Sequence, residues 1–181
     1  SNPKVSSHIN NIQDFNSVRD FITKSEPDII FHLAAQPLVI ESYKEPLETF
    51  TTNIIGTANI LEAARYVDTV KAVIIITTDK CYKNKECIYG YRETDRLGGI
   101  DPYSSSKAAA ELAINAWRNS FASNSNYLLS SARAGNVIGG GDYANDRIIP
   151  DIFRSIQENK TLNIRNPEST RPWQHVLDPL W

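Results

Sequence analysis

No stretch of this 181-residue chain approaches the roughly 18 consecutive apolar residues that a bilayer-spanning helix needs, so the sequence offers no membrane anchor. Basic charge is scarce too: 19 Lys and Arg against 21 Asp and Glu give a net charge of -2, which leaves no positive stripe for a nucleic-acid backbone. Cysteine is limited to Cys81 and Cys87, too close in sequence to staple distant segments and without the paired C-x-x-C spacing of a zinc site. Both are expected as free thiols, and no metal site is expected. Ser1 to Asn10 has neither the basic nor the apolar region of a signal peptide, so the expected location is cytoplasmic. What remains is a soluble globular domain, for which 41% hydrophobic and 22% charged residues supply a core and a surface.

Pro27-Asp28 opens a short apolar run through Ile29-Ile30-Phe31-His32-Leu33-Ala34-Ala35, the pattern of a strand buried on both faces of a parallel sheet. A second such run is Val70 to Thr78. Between them, Pro46 to Tyr66 repeats apolar residues near helical spacing at Phe50, Ile54, Ala58, Leu61 and Ala64. Strand, helix and strand in that order form a right-handed crossover unit. Asp101-Pro102 then supplies an acidic cap and a first-turn proline for a helix reaching Phe121, and Tyr127 to Ala134 reads as a third core strand. Gly135 to Gly141 is a glycine-rich turn, Ile148 to Asn159 a further helix, and Thr161 to Ile164 a short strand. The expected fold is α/β, a doubly wound parallel sheet over residues 1–147 followed by a partial C-terminal lobe over 148–181.

Dinucleotide-binding sheets open with a strand, a glycine-rich turn and a helix whose N-terminus receives the pyrophosphate. No such turn precedes the first strand here, and Gly139-Gly140-Gly141 follows a late strand without opening a helix in the right place. The sheet is therefore expected to be truncated at its front, with an unpaired apolar edge that favours self-association.

Tyr103-Ser104-Ser105-Ser106-Lys107 places a phenol and an amine at i and i+4, on one face at a helix start. The ammonium and the positive helix end both favour the tyrosinate, which can exchange a proton with a substrate hydroxyl. His32-Leu33-Ala34-Ala35, Thr77-Thr78-Asp79-Lys80 and Arg133-Ala134-Gly135-Asn136-Val137 lie at the carboxyl ends of the three expected strands, where open α/β sheets bind ligands.

His32-Leu33-Ala34-Ala35-Gln36, Thr52-Asn53-Ile54-Ile55-Gly56-Thr57, Tyr103 to Lys107 and Ala132 to Val137 resemble the extended short-chain dehydrogenases/reductases that modify nucleotide sugars, whose fold is Rossmann-like. Thr78-Asp79-Lys80-Cys81-Tyr82, Gly90-Tyr91-Arg92-Glu93, Gly98 to Tyr103, Arg165-Asn166-Pro167 and Thr170 to Val176 narrow the resemblance to the CDP-glucose 4,6-dehydratases. That resemblance implies NAD as cofactor, a nucleotide sugar (CDP-glucose) as substrate, a homodimer, and a lyase of deoxysugar and O-antigen biosynthesis. It implies Tyr103 and Lys107 as the catalytic pair, Thr78 on the sugar 4-hydroxyl, Asp79 as the acid for the departing 6-hydroxyl and Lys80 as the base for the C5 proton. Ala34, Ala35, Gln36, Asn53 and Ala134 would line the NAD site beside Tyr103 and Lys107, and Asn136, Arg147 and Arg171 the substrate site. Asn11, in Asn11-Ile12-Gln13-Asp14, stands where relatives place an aspartate against adenine.

Plainer readings apply to some of these residues. Asn53 can serve only to bond neighbouring backbone, His32 to satisfy a strand end, and Trp173 and His175 to pack the C-terminal lobe. Two further functional readings stand beside the first: a UDP-N-acetylglucosamine 4,6-dehydratase, and a noncatalytic remnant that only self-associates.

Overall fold

The computed structural model describes residues 4–122, 125 and 127–181. The chain divides into two compact units, Ser1–Arg133 and Ala134–Trp181, a boundary earlier than the 147/148 division expected from sequence. In the first unit, helix α1 (Phe15–Ser25) precedes strand β1 (Ile29–His32), and α2 (Val39–Lys44) and α3 (Pro46–Phe50) follow it. A π-helical turn, Thr51–Ile55, joins α3 to α4 (Gly56–Ala64). Then come β2 (Ala72–Thr78), a 3-10 turn (Asp79–Cys81), the long α5 (Pro102–Ser120) and β3 (Leu128–Ala134).

The sheet runs in the order β1-β2-β3, and β1 pairs in parallel with β2, setting Ile29 beside Ala72 and His32 beside Ile75. Period-2 alternation puts Val73 and Ile75 of β2 into the core, where they meet Val18 and Ile22 of α1, Leu61 and Ala64 of α4, Ile114 of α5 and Leu129 of β3. Each fully buried Leu or Ile contributes about 1.5–3 kcal/mol relative to exposure. The expected crossover is present, but its helix is not uniform. The π turn interrupts the expected helix, and no hydrophobic spacing announces it.

β1 departs from the expectation of burial on both faces: Ile29 and Phe31 are 51% and 62% exposed, and only His32 is buried. β1 is the edge of the three-stranded sheet, so one of its faces lacks a covering layer among the described residues. α1 is not expected from sequence, because only Val18 and Ile22 of its 11 residues are buried. Asp14 caps it by accepting from the backbone N–H groups of Asn16 (3.1 Å) and Ser17 (3.3 Å). Gly56 lets the segment before α1 approach α4 closely: a Cβ there would lie 2.6 Å from Ile12 Cδ1.

In the second unit, β4 (Val137–Ile138) pairs in parallel with β5 (Gln174–His175), α6 spans Ile148–Gln157 and α7 spans Leu177–Leu180. The expected strand at Thr161–Ile164 does not form. The ladder instead uses the glycine-rich turn, because Gly139 allows Val176 Cγ1 to approach within 2.7 Å of where a Cβ would sit.

Candidate active site

The sequence puts polar residues where β2 ends, and the backbone explains their posture. Thr78 leaves the strand as N-cap of the 3-10 turn, and its hydroxyl donates to Asp79 Oδ1 at 3.0 Å. Lys80 Nζ lies 3.3 Å from the same Asp79 oxygen, with both side chains about one-third exposed. An acid and a base of opposite charge thus share one turn.

α5 packs against this turn. Asp101 fixes the start of α5, accepting from Ser104 N–H at 2.9 Å and from Ser104 Oγ at 2.6 Å, with Pro102 in the first turn. Tyr103 and Lys107 are both buried on its inner face. Tyr103 N–H donates to Ser42 Oγ at 3.2 Å, which ties the helix start to α2. Lys107 Nζ donates to the Ile76 carbonyl of β2 at 3.3 Å. Burial pushes the Lys107 ammonium down to about 8, against an opposing pull from Glu111.

The end of β1 is held by a side chain that the resemblance assigned to the cofactor site. Asn53, in the π turn, accepts from Gln36 N–H at 2.9 Å and donates to the Gln36 carbonyl at 3.1 Å and to Ser106 Oγ at 2.8 Å. Its amide is buried and fully engaged within the protein. The Gln36 side chain closes a turn, donating to Thr49 Oγ1 at 2.7 Å and accepting from Leu38 N–H at 2.6 Å. Ala34 is exposed and Ala35 half-buried, small residues that leave the strand end open. Asn11 accepts from Gln13 N–H at 3.0 Å, and Gln13 reaches Glu48 at 2.6 Å and Thr52 at 2.8 Å.

His32 bears out its plainer reading. Thr57 Oγ1 donates its one proton to the Asn53 carbonyl at 2.7 Å, so it accepts from His32 Nε2 at 3.2 Å. Burial first, and the Lys107 charge second, push the imidazole down to about 4, so the ring is neutral at ordinary pH.

Sequence reasoning passed over one cluster. Glu111, one turn beyond Lys107, is buried and accepts from Thr77 Oγ1, from Ser131 Oγ at 3.0 Å and from Arg133 at 2.8 Å. Burial pushes the Glu111 carboxyl up, but these donors together outweigh it and hold it below its ordinary value. Arg133 also donates to Tyr82 OH at 2.9 Å and to the Glu93 carbonyl at 3.1 Å. The available signal was positional: Tyr103, Lys107 and Glu111 fall at i, i+4 and i+8 on one helix face.

In the second unit, the Asn136 carbonyl accepts from Gln174 N–H at 3.0 Å, which puts Asn136 at one end of the short ladder. Ala134 precedes it and is half-buried. Arg147 pairs with Asp142 at 3.0 Å, and Arg171 is exposed with its guanidinium on the Thr170 carbonyl at 2.6 Å. Cys81 and Cys87 are free thiols.

The sequence model described as GDP-mannose 4,6 dehydratase matches residues 1–180. The chain belongs to that family. Within this 4,6-dehydratase family the chain is similar to the CDP-glucose 4,6-dehydratase of Salmonella typhimurium, 54% identical over 99% of this chain and 51% of the relative. It is 28% identical to the dTDP-D-glucose 4,6-dehydratase of Dictyostelium discoideum, over 93% of this chain and 40% of that protein. The chain spans about half the length of these curated relatives or less. Among solved structures, the Streptomyces venezuelae dTDP-glucose 4,6-dehydratase DesIV, a double mutant with NAD and DAU bound, superposes with a TM-score of 0.87 at 22% identity, over 98% of this chain and 53% of that one. The Thermotoga maritima UDP-glucose 4-epimerase with UDP-glucose superposes with a TM-score of 0.83 at 25% identity, over 94% of this chain and 55% of that one. The fold is the Rossmann-like α/β fold of these dehydratases and epimerases.

Proposed function

We propose that this chain carries the catalytic centre of a CDP-glucose 4,6-dehydratase, which converts CDP-glucose to CDP-4-keto-6-deoxyglucose and water in deoxysugar and O-antigen biosynthesis. The observation that carries the reading is the Asp79–Lys80 contact in the turn after β2, packed against the helix that buries Tyr103 and Lys107. Extensive identity to the Salmonella enzyme supports the choice of CDP-glucose. DesIV binds NAD, and the residues here fit the reactive end of that cofactor: the small side chains Ala34 and Ala35 leave room at the end of β1, and Tyr103 and Lys107 face the sheet. Bound NAD would accept the C4 hydride and return it at C6.

The side chains divide the proton work. Tyr103 takes the proton of the 4-hydroxyl as C4 is oxidised, with the Lys107 ammonium stabilising the phenolate. The 4-ketone acidifies C5, and Lys80 as the neutral amine removes that proton. Asp79 as the neutral acid gives its proton to the 6-hydroxyl, which departs as water. Lys80 then returns a proton to C5 as hydride reaches C6. The reactive form therefore has the proton on Asp79 and none spare on Lys80, and across 3.3 Å the two exchange it directly. Thr78 orients Asp79 from the other side at 3.0 Å. Asn136, Arg147 and Arg171 would hold the nucleotide diphosphate, through the basic charge of the two arginines and the Asn136 amide.

The protein is further proposed to pair with a second copy through α3, α4 and α5, whose Leu47, Ile55 and Leu112 are 81%, 49% and 61% exposed. Among the described residues no helix is long and apolar enough to cross a membrane. The test of function is to add CDP-glucose to the NAD-loaded protein in deuterated water. The expected product is the 4-keto-6-deoxy sugar with deuterium at C5, and Tyr103→Phe should yield neither NADH nor product. Turnover of CDP-glucose by Tyr103→Phe at the wild-type rate would refute the reading.

A further inference from the structure

Tyr103, Lys107 and Glu111 occupy successive turns on the buried face of α5, yet proton transfer to and from the sugar uses only the first two. Glu111 is among the most tightly bound side chains of the unit. Thr77, immediately before Thr78, donates to one carboxylate oxygen, and Ser131 and Arg133 of β3 donate to the other. One carboxylate thereby joins the strand that delivers Thr78, Asp79 and Lys80, the helix that delivers Tyr103 and Lys107, and the neighbouring strand. Arg133 carries the connection on to Tyr82, which stacks on Tyr91 with ring centroids 5.1 Å apart.

We propose that Glu111 is a positioning residue of the site: its carboxylate fixes the end of β2 against α5 and supplies the negative charge that keeps the Lys107 side chain an ammonium at neutral pH. The inference rests on the reading of Tyr103 and Lys107 as the oxidising pair. A lysine as deeply buried as Lys107 is driven toward the neutral amine, and the Glu111 charge is the opposing influence acting on it. The elements around α5 carry other charges: His32 on β1, Glu41 and Lys44 on α2, Glu48 on α3, Glu62 on α4, Asp79 and Lys80 in the turn after β2, and Arg133 on β3. His32 is neutral at ordinary pH, Asp79 and Lys80 offset each other, and Arg133 is occupied by Glu111 itself.

The experiment is a pH titration of the Lys107 side chain by NMR, in protein labelled with 13Cε-lysine, with the resonance identified by its loss in Lys107→Met. In wild type the midpoint should lie near 8. In Glu111→Gln, which keeps the shape and removes the charge, it should fall by about one pH unit, the scale expected for one charge a helical turn away in a partly polar interior. Glu111→Asp, with its carboxylate withdrawn by one methylene, should move in the same direction by less, and Ser131→Ala should leave the midpoint in place. A folded Glu111→Gln protein with the wild-type midpoint overturns the proposal. If that variant does not fold, an unshifted midpoint in Glu111→Asp does the same. The alkaline limb of the first oxidation should follow the NMR midpoint. A shifted midpoint with an unmoved limb would uphold the role of Glu111 and reject that of Lys107 in the reaction.

Discussion

Asn53 Nδ2 lies 2.8 Å from Ser106 Oγ, so the π-helical turn is bonded to the middle of the Tyr103–Lys107 segment. The same amide holds both backbone polar groups of Gln36. Asn53→Ala should cost about 2–4 kcal/mol, since it removes three hydrogen bonds and leaves buried partners unpaired. Ser106→Ala removes only one of them and should cost about 1 kcal/mol. Denaturant unfolding of the two single variants and the double variant should give a non-additive total, because the residues share a bond. Strict additivity would mean the contact contributes nothing.

Lys80 and Asp79 are predicted to act after oxidation at C4. Lys80→Met should therefore still form NADH on addition of CDP-glucose while dehydration slows by roughly 10²–10⁴-fold, the usual worth of a positioned general base. Absorbance of the enzyme-bound reduced cofactor and mass spectrometry of the sugar read the two steps separately. Dehydration at the wild-type rate would assign the C5 proton to another group.

His32 makes stability depend on acid. Its folded value of about 4 lies below the ordinary 6.5, so between those pH values the unfolded chain binds a proton that the folded chain refuses. Stability should fall as pH drops through that window, by about 3 kcal/mol in full. His32→Gln should flatten this limb in urea unfolding at pH 7, 5 and 4, and an unchanged slope would show that the loss arises elsewhere.

Gly99 sits where a Cβ would come within 2.3 Å of the Ser104 carbonyl carbon and Ser105 nitrogen. Gly99→Ala must move the first turn of α5 or the loop before it, at a cost of about 1–3 kcal/mol. Gly90→Ala meets nothing within 4 Å and should stay within about 0.5 kcal/mol of wild type. Thermal unfolding compares the pair directly.

Much of this arrangement could be read from residues alone, and the parts that could not have physical reasons. The unbroken run of Ala72-Val73-Ile74-Ile75-Ile76 and the Asp101-Pro102 cap are local signals, so β2 and α5 stand close to where the sequence put them. Tyr103 and Lys107 were legible because helical spacing alone puts them on one face. Glu111 was not, since an acid between apolar residues looks like a surface position until Thr77, Ser131 and Arg133 arrive from other strands. The strand expected at Thr161–Ile164 failed for a similar reason: the partner of Val137–Ile138 is chosen by glycine contacts at Gly135 and Gly139, and it lies at Gln174–His175.

The π turn at Thr51–Ile55 also sets the phase of everything after it. Such a turn holds one residue more than an α-helical turn, so a single deletion inside it would let the stretch from Pro46 to Ala64 run as one regular helix. Each residue of an α-helix advances by about 100°, so the two ends of that stretch would rotate against each other by that angle. With α3 held in place, Leu61 would swing out of the core and Gly56 away from Ile12; with α4 held in place, Gln36 would lose its contact with Thr49. Single-residue deletions scanned along Pro46 to Ala64 would therefore be tolerated nowhere, whereas substitutions at exposed Leu47 or Ile55 leave the phase intact.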